Sequence, residues 1–163
     1  ESSVAMLIKP ALIGGYTWPS LIDVSLRASV CKRFAPRTPD GMHKLLMEKK
    51  FTNGADREVV VKLYTNVAER CIYPTKKLDY DGFDFGDEEM KVLCEWFPKC
   101  EEVEKLDLRR NAFGATGWDL LAEVVGREGA MPKLKGIAAY VNKEKPSDKL
   151  REACEKRGIL LRG

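Results

Sequence analysis

The chain has 163 residues, of which 44% are hydrophobic, 33% charged and 9% aromatic, which suits one domain with its own core and excludes a disordered tail, a collagen-like repeat and a membrane-spanning protein. Twenty-eight Lys and Arg against 25 Asp and Glu leave a net charge of +3, too small to predict nucleic-acid binding by itself. A single His and five Cys with no C-x-x-C pair exclude most zinc sites.

Residues 1–50 show no clean repeat. The first twenty are apolar, aromatic and punctuated by Gly and Pro. The apolar run at 4–15 is broken by Lys9 and Pro10 and falls short of the ~20 residues a bilayer requires. It also lacks the basic start of a secretion signal. This stretch is expected either to cap the open end of the fold or to anchor the chain to a partner through Tyr16 and Trp18. The chain begins at Glu1, which fits a shortened chain or a removed targeting segment; an organelle, chloroplast or mitochondrion, is the expected compartment ahead of the cytoplasm. Leu21, Val24 and Leu26 have the spacing of a divergent strand, "CKRFAPRTPDG" reads as a loop, and "MHKLLMEKKF" as a helix. The expected organisation is an N-terminal extension, an arm and cap, over 1–50 and one domain over 51–163.

A longer helix is predicted from about residue 55 to 71, with Val59, Leu63 and Val67 as its apolar stripe. Beyond it the chain repeats. "VEKLDLRRN" places Val103, Leu106, Leu108 and Asn111 at the offsets that "LKGIAAYVN" gives to Leu134, Ile137, Ala139 and Asn142, 31 residues later. Leu78 and Tyr80 hold the same phase 28 residues before Leu106 and Leu108, with Phe83 at the place of the Asn. Ile159 and Leu161 offer a last short strand. Helices are predicted between these strands. One after Gly86 carries Met90, Leu93, Cys94 and Phe97 inward and stops at Pro98; one is capped by Thr116, with Leu120, Leu121, Val124 and Val125; one is capped by Ser147, with Leu150 and Cys154. A strand–turn–helix unit of 22–31 residues is too small to bury its own apolar face and must stack on its neighbours.

Over about residues 76–163 the chain resembles a leucine-rich repeat protein of the ribonuclease-inhibitor-like subtype, in a short and degenerate array. Val103, Leu106, Leu108, Asn111, Gly117 and Leu121 match the repeat's strand, Asn, Gly and helix positions. The resemblance implies an α/β fold, a short solenoid of parallel strands alternating with helices, beside the irregular N-terminal arm. It also implies partner contacts on the exposed strand positions Lys77, Asp79, Lys105, Asp107, Arg109 and Arg110. Asn111 and Asn142 are read as structural, each bonding the backbone of an adjacent turn.

Charge runs in blocks: net +6 over 1–77, −8 over 78–107 and +5 over 108–163. Such a pattern is either a solvated surface or one that orients a docking partner. Catalytic chemistry finds few carriers. His43 sits in a basic helical stretch without an acid placed to orient it, and no phosphate-binding glycine pattern occurs. The acidic run 79–89 fails as a calcium loop, because Phe83, Asp84 and Met90 fall at positions five, six and twelve, where an oxygen ligand, the Gly and the final Glu belong. The cysteines are read as buried free thiols. The expected function is therefore a non-enzymatic protein–protein interaction module with no cofactor, metal or nucleic acid. It is read as an accessory or scaffold subunit of a multi-subunit complex, peripheral to an organellar membrane assembly such as a photosystem (hence photosynthesis) or a respiratory complex. A small α/β enzyme or ligand-binding domain with its site at the strand carboxyl ends, and a basic-patch nucleic-acid binder, are the alternatives.

Overall fold

A computed structural model describes residues 35–49 and 54–163. Helix α1 (Pro39–Met47) is followed by α2 (Gly54–Val67), which runs into a π-helical turn at Ala68–Ile72. Strands and helices then alternate: β1 (Lys77–Asp79), α3 (Asp87–Trp96), β2 (Lys105–Asp107), α4 (Ala115–Gly126), β3 (Gly136–Ala138), α5 (Asp148–Lys156) and β4 (Leu160–Arg162). The fold is α/β. Among the described residues four strands form one parallel sheet in the order β1-β2-β3-β4, with Leu78, Leu106, Ile137 and Leu161 in register. Hydrogen bonds extend the ladder past the strand ends, from the Tyr80 N–H to the Asp107 carbonyl (2.9 Å) and from the Leu108 N–H to the Ala138 carbonyl (2.8 Å).

Each strand turns its middle residue, Leu78, Leu106, Ile137 or Leu161, toward the core and its two flanking residues to the other side, so the sheet has a core side and an open side. Leu78, Tyr80, Leu106, Leu108, Ile137 and Ala139 enter the core. They meet Met90, Leu93 and Trp96 of α3, Trp118, Leu121 and Val125 of α4, and Leu150 and Cys154 of α5. Helix α4 packs between α3 and α5. Ion pairs also link neighbouring units at the surface: Lys133 with Glu102 (2.5 Å), Lys135 with Glu104 (2.8 Å) and Lys149 with Asp119 (2.6 Å). The acidic block and the basic block that follows it thus meet across adjacent units. Each such exposed pair contributes at most about 1 kcal/mol.

Three expectations need correction. The helix after residue 37 starts at Pro39, inside the stretch read as a loop. Thr38 caps it by accepting from the Gly41 N–H at 3.1 Å, and Pro39 and Asp40 suit a first turn. In α2 the inward stripe is not Val59 and Leu63, which are 56% and 59% exposed, but Tyr64, continued by Ala68 and Ile72. The apolar run offers two stripes, and the Tyr64 hydroxyl selects one by donating to the Arg37 carbonyl at 2.5 Å. Finally, α4 begins before Thr116, with Gly114 as its N-cap. Its cap comes from the preceding unit, where the Asp87 carboxylate accepts from the Gly114 N–H at 2.7 Å. Gly117 is needed beneath it, since a Cβ there would lie 2.5 Å from Asp87 Oδ1.

Residues 35–47, counted with the arm in the sequence reading, share the core: Ala35 and Met42 are buried, and the Trp96 indole donates to the Pro36 carbonyl. Gly82, Arg110 and Val141 occupy the same turn position in successive units, all with positive φ (67°, 52° and 61°). A β-branched residue is poorly suited to that conformation. Val141→Gly is expected to raise the unfolding free energy by about 0.5–1 kcal/mol, relief of the left-handed strain outweighing the entropy of Gly. Urea titration of the two proteins checks this.

Candidate functional site

The open side of the sheet carries the outward strand residues in rows. The first row is Lys77, Lys105, Gly136 and Leu160; the second is Asp79, Asp107, Ala138 and Arg162. One step further along the strands, Asp81, Arg109 and Tyr140 come together. All six expected strand-face residues, Lys77, Asp79, Lys105, Asp107, Arg109 and Arg110, therefore lie in one region. Asp81, Tyr140, Leu160 and Arg162 join them and were not singled out from the sequence. Continuing the two-residue alternation past Asp79 and Ala138 would have reached Asp81 and Tyr140. Tyr16 and Trp18 lie outside the described residues.

Arg109 is the hub. Its guanidinium donates to both carboxylate oxygens of Asp107, from Nε at 2.7 Å and from Nη2 at 2.6 Å. It also donates from Nη1 to the Tyr140 hydroxyl at 2.8 Å, lies 5.3 Å from that ring's centre, and pairs with Asp81 at 3.3 Å. The bonds to Asp107 and Tyr140 hold it further in its charged form. Asp107 is buried beneath this fork, which leaves it little room to reach a partner directly. Lys77 pairs with Asp79 at 2.7 Å, and Arg110 Nε donates to Asp81 at 2.7 Å. Lys105 is exposed and makes no ion pair among the described residues.

The hydrogen bond from Arg110 holds the Asp81 carboxyl below its ordinary value of 3.8, with the Arg109 charge adding to it against the opposing effect of burial. A lowered folded-state pKa means that the unfolded chain binds more protons in acid, so stability rises with pH in that window. The contribution is complete above the ordinary carboxylate value and is lost as pH falls below it toward the lowered one. Asp81→Asn should therefore flatten the fall in stability below about pH 4, measured by urea midpoints at successive pH values.

Beneath the face, the Asn111 side chain accepts from the Phe85 N–H at 2.9 Å. It donates to the carbonyls of Tyr80 (2.9 Å), Leu108 (3.1 Å) and Arg109 (2.9 Å). Asn142 donates to the Ala139 carbonyl at 2.5 Å and accepts from the Asn111 N–H at 2.8 Å. These bonds fix the turns from which Arg109, Arg110 and Tyr140 project.

At the carboxyl ends of the strands an open cleft is lined by Asp87, Glu88, Glu89, Lys143 and Glu144. Two of its acids serve local backbone needs: Asp87 caps α4, and Glu89 accepts from the Gly86 N–H at 2.9 Å. Among the described residues no group of three or more His, Cys, Asp or Glu side chains is placed to hold a metal ion, and no helix is long and apolar enough to cross a membrane. His43 is exposed on α1, beside a groove it shares with Met47, Arg57 and Val61.

Cys71, Cys94, Cys100 and Cys154 are free, and Cys31 lies outside the described residues. Burial pushes the thiols of Cys94 and Cys100 up to about 12 and that of Cys154 to about 11. All three stay protonated and poorly nucleophilic at neutral pH. Iodoacetamide at pH 8 should leave them unmodified in the folded protein and label them in urea, as mass spectrometry of peptides would read.

Compared with known proteins, the chain matches no family model, no curated protein and no solved structure.

Proposed function

We propose that the chain is a short leucine-rich-repeat solenoid of the ribonuclease-inhibitor-like subtype and works as a non-enzymatic accessory or scaffold subunit. It docks on a larger assembly through the open side of its sheet. An organellar membrane complex, such as a photosystem or a respiratory complex, is the proposed host. The strand register, the 31-residue offset between Asn111 and Asn142 and the alternation of strand with helix support the repeat assignment.

The observation that carries the docking role is Arg109. It is held by Asp107, Asp81 and Tyr140 from three neighbouring strand ends, so a partner meets a guanidinium already fixed in place. Ordering a long side chain at an interface otherwise costs about 0.5–1.5 kcal/mol. The face offers shape and placed charge, with Lys77, Asp79 and Lys105 along the same rows and Arg110 at their edge.

Sedimentation of the native material, with the protein followed by antibody, tests this. Migration with a large particle, and release when Arg109 and Tyr140 are replaced together by Ser, is expected. Migration as a free monomer overturns the subunit reading.

A further inference from the structure

The open face is not level. Over β3 its outward residues are only Gly136 and Ala138, while β2 raises Lys105 and Arg109 on one side and β4 raises Leu160 and Arg162 on the other. Small residues between longer ones make β3 the low line of the face, a trough at whose carboxyl end Tyr140 is bonded to Arg109. The β2 and β4 backbones stand about 10 Å apart across it, twice the strand spacing. That width admits an extended chain but is too tight for a helix of about 10–12 Å with its side chains.

The charges along this trough are unequal in a telling way. Each carboxylate of the face already has a cation: Asp79 has Lys77, Asp107 has Arg109, and Asp81 has both Arg109 and Arg110. Lys105 and Arg162, on the two walls, are exposed and make no ion pair among the described residues, Lys105 feeling only the charge of Glu104, which is itself paired with Lys135. Lys105 also stands directly opposite Lys77 in register. The Lys77 charge is met by Asp79 at 2.7 Å and Asp107 at 4.0 Å, so of the two lysines Lys105 is the one without an ion pair. Between the cations the surface is apolar: Leu160 is 56% exposed and Tyr140 41%.

We infer that the trough over β3 receives an extended acidic protein segment, its carboxylates on Lys105 and Arg162 and one apolar side chain over Ala138 between Leu160 and Tyr140. This rests on the reading of the open face as the docking surface and adds the chemistry of what docks. A uniformly charged phosphate chain suits the site less. Asp79, Asp81 and Asp107 flank the trough, only two of its cations are uncompensated, and the apolar walls would have nothing to cover.

The test is a nitrogen-15 NMR titration of the whole chain with a decapeptide alternating Glu and Ser around one central Phe. Parallel titrations use the same peptide with Lys for Glu, the same peptide with Ser for Phe, and a thymidine decamer. Saturable shifts at residues 105, 138, 140, 160 and 162 are expected with the Glu–Phe peptide alone. The double substitution Lys105→Glu and Arg162→Glu, at two exposed positions, should weaken binding by about tenfold or more while leaving the spectrum dispersed. Equal or tighter binding of the Lys peptide or of the decamer overturns the inference, as do shifts elsewhere or none at millimolar peptide.

Hydroxyl-radical footprinting of the native particle separates the two layers. Protection of Tyr140 and Leu160 without a preference for the acidic peptide removes the acidic segment and leaves the docking face standing. Full reactivity of both residues in the particle removes the docking face and the inference together.

Discussion

Replacing Asn111 with Leu is expected to lower the unfolding free energy by about 3–5 kcal/mol, because one side chain satisfies backbone groups from two units at once. Its carbonyl takes the Phe85 N–H, and its amide serves the carbonyls of Tyr80, Leu108 and Arg109. Leu fills similar volume and satisfies none of them. A buried donor or acceptor left without a partner costs about 1–3 kcal/mol, and the Phe85 N–H and the Tyr80 carbonyl have no other partner shown. The first unit has no Asn of its own. Phe83 stands there, its ring 6.0 Å from Tyr80 and 5.2 Å from Phe85, so Asn111 must reach back. Asn142→Leu should cost less, about 1–2 kcal/mol, since Asn142 is half-buried and makes two such bonds. Asn111→Asp, which keeps the acceptor but turns a buried carboxylate on three carbonyls, should cost at least as much as Asn111→Leu at neutral pH. Urea unfolding with an unchanged slope reads all three. Equal losses at 111 and 142 would show that Asn111 does not have this double role.

The sheet was legible because its signal is periodic. The offsets shared by Leu106 and Asn111 with Ile137 and Asn142 are enough to put Leu106 opposite Ile137, and the phase of Leu78 extends the ladder to β1. Ser147 was legible as a cap because its partner, the Leu150 N–H, lies three residues away. Thr116 misled for the opposite reason: the group that starts α4 is Asp87, 27 residues before the N-cap Gly114, and nothing local to Thr116 reveals it. The α2 stripe failed likewise. Between Val59 and Leu63 on one side and Tyr64 and Ala68 on another, local pattern has no preference, and a carbonyl at Arg37 decides.

The face was read in part. Alternation finds which side chains point outward, so Lys77, Asp79, Lys105, Asp107 and Arg109 were accessible to it. It does not report that Asp107 is covered by Arg109, or that the Asp81 carboxylate takes two guanidinium groups. Those are facts of neighbouring strands, and they change what the face offers. The acids that look available in the sequence are engaged, and the cations at Lys105 and Arg162 remain.

Trp96→Ala should be as costly as the loss of Asn111, about 3–5 kcal/mol, and its local consequences should identify what Trp96 holds. The side chain is fully buried, its ring 5.5 Å from that of Tyr73, and its indole N–H donates to the Pro36 carbonyl. Removing it leaves a cavity and frees the chain just before α1. Trp96→Phe separates the two effects: an aromatic ring stays against Tyr73, and only the tether to Pro36 goes, for about 1–2 kcal/mol. Amide hydrogen exchange should then speed up in α1 more than in α4, because α1 relies on two tethers at residues 36 and 37 and one has been cut. Trp118→Phe is the matched control. Its indole donates to the Glu144 carbonyl at 3.1 Å, so the faster exchange should appear in the segment leading to α5 and spare α1. Uniform acceleration in both variants would show that these bonds are spread into one cooperative core and that residues 35–47 are not held through Trp96.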